Sequence, residues 1–335
     1  NIQNLSLKEY LNSKNKKDYS VVIKDKETPL DINLFLDDYY YEKTSKELFT
    51  NYRNSILKVI LSYLDKYKNR LFNINKKLKE SNNKEIYKLY GELITANLYK
   101  IKQSHSDFIE LENYYDNNNI IKIPLDKKIT VSKNATKFFK KYNKLKNAEL
   151  ICSIQKEETQ NELDYIESIV YEVESAKKIK DIDDIYSELS ENEIFKSSFK
   201  QKNKSKSQKK IKQKKTYEPN ILNIDGYTIL VGKNNLCNDY LTTKLANKDD
   251  LWFHTKDIHG SHIVLKLNNE KPTESIIKKC ASIAAYNSKA KLSSNVPVDY
   301  CYVKYVKKPN KAKPGMVIYT HNKTLYVTPT SYTDS

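Results

Sequence analysis

From Lys46 to Ile101 the chain contains no proline and a single glycine, Gly91. Within that stretch Leu57, Ile60, Leu64, Tyr67, Leu71, Ile74 and Leu78 recur at steps of three and four, the a/d seam of a coiled coil. At 1.5 Å per residue, about 55 residues make an arm of roughly 80 Å. A second helical run covers 132–178, where Leu163, Ile166, Val170 and Val173 step by three, four and three. Between the two lies a non-helical stretch from His105 to Thr130, with Asn and Asp turns, Pro124 and strand candidates at 108–111 and 120–123. Ser132 is placed to cap the returning helix. This order predicts an antiparallel coiled-coil hairpin carrying a small tip module. Whether its arms pair within one chain or between two is left open.

The flanking segments complete an α+β, multidomain plan. Residues 1–42 read as the frayed end of a domain, with a strand at 19–23. The first arm is expected over 43–104, the tip over 105–130 and the returning arm over 131–192. A Lys-rich linker follows at 193–217, and a C-terminal α+β domain at 218–330. Residues 197–217 hold nine lysines and no acid, a run that cannot bury a core and is either a solvated tether or an RNA-binding arm. In the last domain strands are expected at 228–231, 301–306, 315–319 and 323–327, and a helix at 274–288.

The net charge of +17 favours a polyanionic partner, with nucleic acid ahead of a membrane surface. Of the 59 basic residues only Arg53 and Arg70 are arginine. Lysines are point charges that accept many phosphate geometries, which points to backbone or shape recognition over base-edge reading. AT-rich coding would account for part of the Lys, Asn, Ile and Tyr enrichment. Cys152, Cys237, Cys280 and Cys301 lack Cys-x-x-Cys spacing and suit a reducing cytosol better than a disulfide framework or a zinc site. No stretch approaches 18 apolar residues. The chain opens at Asn1 without Met or signal peptide and is expected to be a fragment.

The run Asp249-Asp250-Leu251-Trp252-Phe253-His254-Thr255-Lys256-Asp257-Ile258-His259-Gly260-Ser261-His262 holds the only Trp and three of the five His. It reads as strand, turn and returning strand. Alternation puts Trp252, His254 and Lys256 on one face, and the return at Gly260 and Ser261 brings His262 beside them. Asp257 is a candidate to orient an imidazole. The candidate nucleic-acid-binding set is therefore Trp252, His254, Lys256, Asp257, Gly260, Ser261 and His262, joined by Lys233, Asn234 and Asn235 of an earlier turn and by Lys307 and Lys308.

Plainer readings stand beside these. Three histidines could ligate a metal, or simply be satisfied polar or core residues. Gly232-Lys233-Asn234-Asn235 follows a strand but lacks Walker A spacing, so it is a phosphate-meeting turn or an ordinary Asn-rich one. Ser288 and His262 lack an activating elbow. Lys307-Lys308-Pro309 and Lys311-Ala312-Lys313-Pro314 form a phosphate rim or a solvated loop. No catalytic residue, metal or cofactor is expected. Most of the tyrosines read as packing residues, while Trp252 is a candidate to stack on a base.

Nine blocks in order carry a resemblance to a known family. They include Tyr90-Gly91-Glu92-Leu93-Ile94-Thr95-Ala96-Asn97-Leu98-Tyr99, Asn134-Ala135-Thr136-Lys137-Phe138-Phe139, the Trp252 run, Ala284-Ala285-Tyr286-Asn287-Ser288-Lys289, and Lys313-Pro314-Gly315-Met316-Val317-Ile318-Tyr319. The chain resembles the NFACT family, whose bacterial members are ribosome-quality-control factors long described as fibronectin-binding proteins. The resemblance implies an NFACT-R domain at the C-terminus, a middle module at the hairpin tip, and a remnant of the NFACT-N region at the start. It also implies a cytoplasmic protein whose partners are the large (50S) ribosomal subunit and its rRNA, peptidyl-tRNA, and alanyl-tRNA recruited for C-terminal alanine tailing. The family's acidic–basic pair linked to tailing precedes position 1, so this chain is expected to be non-catalytic. His259 stands where the family usually has Pro. Competing readings are a fibronectin-binding surface adhesin and a generic coiled-coil scaffold.

Overall fold

A computed structural model describes residues 5–11, 17–23, 32–101, 106–199, 217–268, 271–310 and 312–332, with side chains from 37 onward. Most of the Lys-rich run, 200–216, lies outside the described residues. Strands β1 (Leu5–Leu11) and β2 (Lys17–Ile23) pair antiparallel. Helix α1 (Ile32–Ser81) begins inside the segment expected to precede the arm, and its 50 residues span about 75 Å. The seam pattern predicts continuation through residue 101, yet the helix breaks at Asn82 and Asn83 before α2 (Lys84–Asn97). Short polar side chains at 81–83 compete for the backbone there, and the Ser81 hydroxyl donates to the Lys77 carbonyl at 2.9 Å.

Helix α3 (Val131–Ser175) returns antiparallel along both, within one chain. Its N-cap is Thr130, not Ser132: the Thr130 hydroxyl accepts from the Lys133 amide at 3.4 Å. Cross-arm pairs Lys68–Glu167 at 3.8 Å, Arg70–Glu162 at 4.0 Å and Lys84–Glu149 at 2.5 Å mark one antiparallel alignment. Helix α4 (Ile179–Glu191) folds back on the base of the hairpin. There Ile56 and Ile60 of α1 meet Ile166, Ile169 and Val173 of α3 and Ile182, Ile185 and Leu189 of α4. Phe195 and Phe199 close this core, so the first residues assigned to the linker belong to the hairpin base.

At the far end, β3 (Phe108–Asn113) and β4 (Asn119–Pro124) form a hairpin whose turn places Asn117 and Asn118 at φ 46° and 58°. It packs on Leu93, Ile94, Val131 and Ala135. Gly91 permits the close approach of α2 and α3, since a Cβ there would lie 2.8 Å from the Phe139 ring.

The C-terminal domain is a six-stranded antiparallel sheet, ordered β12 (Lys323–Val327), β9 (Val296–Tyr302), β7 (Leu251–Thr255), β8 (Ile263–Leu265), β6 (Tyr227–Val231) and β5 (Asn220–Ile224). Strand β5 was not expected from the pattern, although Asp225-Gly226, at φ 52° and 80°, is a two-residue hairpin turn. Alternation splits β7 between two layers. Leu251 and Phe253 pack with Ile263, Leu265 and helix α6 (Glu274–Tyr286), while Trp252 packs with Leu230, Leu241, Val264 and Cys301 on the opposite face. That second face is covered by α5 (Asn235–Tyr240), the π-helical turn Leu241–Leu245, and the small pair β10 (Val306–Lys307) and β11 (Ile318–Tyr319). The strand expected at 301–306 is displaced: β9 ends at Tyr302 and a 3-10 turn, Val303–Tyr305, follows. Among the described residues no helix is long and apolar enough to cross a membrane.

Candidate nucleic-acid interface

The pairing of Phe253 with Ile263 brings His254 and His262 face to edge, with ring centroids 5.5 Å apart. Trp252 stacks on His254 at 5.7 Å and 16°, and meets the edge of His262 at 5.2 Å. Tyr319 lies against the indole at 4.9 Å. Alternation and hairpin return thus gather these three rings, but they gather them inward. Trp252 is 0% exposed and His262 is 2% exposed, so neither forms part of an exposed basic face, and the indole faces are already covered.

Burial sets the chemistry of both imidazoles. It pushes His254 down to about 4, against the opposing Gly260 backbone, and holds His262 well below the ordinary histidine range. Both are neutral at pH 7 and supply no cation to a phosphate. His262 is satisfied locally: its Nδ1 lies 2.8 Å from the Thr242 hydroxyl, and its amide donates to Asn238 Oδ1 at 3.1 Å. The indole Nε1–H of Trp252 is buried without a partner among the described residues.

The turn residues divide into exposed and structural. Lys256 and Asp257 are exposed, with Asp257 in the left-handed region at φ 55°. The imidazole–carboxylate contact expected of Asp257 comes from the hairpin instead, where Glu167 Oε2 lies 3.7 Å from His259 Nε2. Gly260 bridges to Ser288, and a Cβ on it would lie 2.8 Å from Ser288 Cβ. Ser261 is buried and its amide donates to the Asn287 carbonyl at 2.9 Å.

The earlier turn is likewise built inward. Asn234 is buried and its Oδ1 accepts from the Cys237 amide at 2.8 Å, capping α5. Asn235 is buried and donates from Nδ2 to Ser168 of α3 at 3.1 Å. Neither side chain is presented to a phosphate. Half-buried Lys233 lines a cleft with Lys177 and Lys178 of the α3–α4 connection. Lys307 is exposed, and Lys308 pairs with Asp239.

Two exposed cations, Lys248 and Lys304, meet at the turn between β9 and β10. The Lys304 amide donates to the Lys248 carbonyl at 3.0 Å, which makes these two lysines neighbours. Lys304 Nζ lies 5.0 Å from the Tyr302 ring centroid and 5.5 Å from that of Tyr305, and Tyr305 stacks on exposed His321 at 4.4 Å. Asp249 is the counter-charge, 3.8 Å from Lys304. Lysines interleaved with accessible aromatic rings suit a single-stranded polyanion, where charge tracks the backbone and rings stack on bases.

The sequence reading also missed the acids of the hairpin base. Glu172 and Glu188 are buried where α3 and α4 meet the C-terminal domain, and Tyr165 donates to Glu188 Oε1 at 2.6 Å. Burial pushes Glu172 well above the carboxylate range and Glu188 up to about 7. Asp164 and Glu167 form one wall of a cleft of about 590 Å³ whose opposite wall holds Trp252 and His254. Their i, i+3 spacing puts them on one helix face, but nothing in the sequence says that this face meets another domain.

Comparison with known proteins identifies the family. Residues 1–210 match the family described as NFACT N-terminal and middle domains, and residues 216–321 match the NFACT protein RNA binding domain. A protein of Bacillus subtilis (strain 168) named Rqc2 homolog RqcH is 40% identical over 298 residues, covering 88% of this chain and 50% of that protein. A Streptococcus suis protein of the same name is 38% identical over 300 residues, covering 89% of this chain and 52% of that one. The chain therefore spans about half the length of the curated relatives it matches. The solved C-terminal part of the fibronectin/fibrinogen-binding protein from Streptococcus suis superposes with a TM-score of 0.61 at 34% identity, covering 84% of this chain and 96% of that one.

Proposed function

The chain belongs to the NFACT family, and from that premise we propose that it is an RNA-binding factor of ribosome-associated quality control. The observation that carries the reading is the match of the C-terminal domain to an RNA-binding family, together with relatives named for the Rqc2 homolog RqcH. The cluster of exposed Lys248, Lys304, Tyr302 and His321 with half-buried Tyr305 supports it physically, as do Lys256 and Lys307. In this reading the C-terminal domain meets rRNA or tRNA phosphates through lysine, and the long hairpin reaches along the large ribosomal subunit.

The finer assignment follows the same line. The chain acts on large subunits that carry peptidyl-tRNA, within a cytoplasmic protein that recruits alanyl-tRNA for C-terminal alanine tailing. This portion contributes binding and reach without catalysing a step. The name of the streptococcal structure supplies the competing reading, adhesion to fibronectin. Co-sedimentation separates the two. The expected result is that the chain pellets with large subunits bearing peptidyl-tRNA and is not retained on immobilised fibronectin. Retention on fibronectin with no ribosomal pelleting overturns the proposal.

A further inference from the structure

The cleft between α3 and the C-terminal sheet has the composition of a ligand site, and its polar groups are not those a phosphate would select. Asp164 and Glu167 project from the hairpin on one side; Trp252, His254, His259 and Tyr319 line the other. Its volume of about 590 Å³ suits a nucleoside-sized guest. A phosphate entering it would meet three carboxylates, Asp164, Glu167 and Asp257, and the uncharged imidazoles of His254 and His262, with Lys289 as the one lysine on the described lining. A metal is equally ill served, since among the described residues no three His, Cys, Asp or Glu converge to hold one.

What the cleft offers is a flat stack and a wall of acceptors. The Trp252 and His254 rings lie within 16° of parallel, and half-buried His254 lines the cleft, so a planar guest can extend the stack. The carboxylates accept only. Glu167 is held from behind by Lys68 of α1 at 3.8 Å and from the side by His259 at 3.7 Å. A guest that satisfies both features is a planar heterocycle with N–H donors on one edge.

We propose that this cleft receives one unpaired, amino-bearing nucleobase of the bound RNA, stacked on the cleft side of His254 with its donor edge on Asp164 and Glu167. Guanine fits best, because its adjacent N1–H and N2–H groups match the two oxygens of one carboxylate. Adenine and cytosine offer an exocyclic amine. Uracil fits worst, since its single N–H is flanked by carbonyls that would face the carboxylates. Unstacked bases in single-stranded RNA are read in this manner, by stacking and by their edges. The inference rests on the RNA-binding reading above and adds a base-selective element to a surface otherwise read as backbone-directed.

Because Trp252 is the only tryptophan of the chain, its emission reports on this cleft alone. The test titrates the full chain with two short, unstructured, labelled RNA oligonucleotides, an all-uridine strand and the same strand with one central guanosine. Anisotropy reads binding, and emission reads the cleft. The guanosine strand should bind about fivefold or more tighter than the uridine strand and alter the emission of Trp252. Asp164→Asn with Glu167→Gln, two changes on a partly exposed helix face, should erase that preference and leave salt-dependent binding of both strands in place. Equal affinities of the wild-type chain for the two strands, with unchanged emission, would overturn the cleft assignment while the RNA-binding reading stands. Failure of both strands to bind at low salt would overturn the RNA-binding reading itself.

Discussion

Lowering the pH from 7 to 4 should loosen the C-terminal domain through His254. In the unfolded chain this imidazole takes up a proton near its ordinary value of 6.5, whereas burial in the fold pushes it down to about 4. A depressed folded value contributes stability that is present above pH 6.5 and is lost as pH falls toward 4. The gap is about 2.5 pH units at roughly 1.4 kcal/mol each, so about 3 kcal/mol is at stake. That is a large share of the roughly 5–15 kcal/mol of an ordinary domain. His262, pushed down by burial and by His254 beside it, acts in the same direction. The assay is urea unfolding followed by the emission of Trp252, whose ring lies 5.7 Å from that of His254, at steps between pH 7.5 and 4. His254→Gln should remove its part of the slope, making the variant's loss on acidification smaller by about 3 kcal/mol. Parallel pH profiles for wild type and variant would refute the buried, neutral imidazole.

The buried carboxylates of the hairpin base should behave in the opposite sense. Glu172 is raised by burial and then by Glu188, so its stability contribution is full below about pH 4.5 and is lost as pH rises through the raised value. Glu172→Gln should therefore stabilise the chain at pH 8 by roughly 1–3 kcal/mol and change little at pH 4.5, as read by melting temperature at the two pH values. Gly260→Ala would place a Cβ 2.8 Å from Ser288 Cβ and 3.0 Å from the Asn287 carbonyl oxygen, neither of which can swing aside. The expected cost is about 1–3 kcal/mol, seen as a lower urea midpoint in the Trp252 signal.

The hairpin was legible because a three–four seam without proline admits few other structures, and the second seam, Leu163, Ile166, Val170 and Val173, is buried throughout. The break at Asn82 and Asn83 was not legible, since the apolar spacing continues to Leu89 and Leu93 on the far side. Thr130 and Ser132 are both competent caps, and the choice between them lies in where the chain leaves the tip hairpin. In the C-terminal domain, alternation placed Trp252, His254 and His262 together correctly. Their depth was hidden, because the cover comes from residues far along the chain, Leu241 on one side and Tyr319 on the other. The displaced strand has a local cause. The strand starts at Val296 and takes in Pro297, whose carbonyl accepts from the Lys256 amide at 2.9 Å. The acids Asp164, Glu167, Glu172 and Glu188 look like the wet face of a coiled coil, and their role emerges only when helix and sheet pack together.

The central claim is that lysines of the C-terminal domain bind RNA phosphates, and its most direct test is the affinity of the full chain for large ribosomal subunits between about 50 and 200 mM salt. The logarithm of the association constant should fall linearly with the logarithm of salt concentration. Lys248→Ala, Lys304→Ala and Lys256→Ala should each reduce that slope by about 0.7–0.9 without changing the melting temperature, since all three side chains are exposed. An affinity that does not vary with salt, or a slope left intact when all three lysines are removed together, would contradict the account.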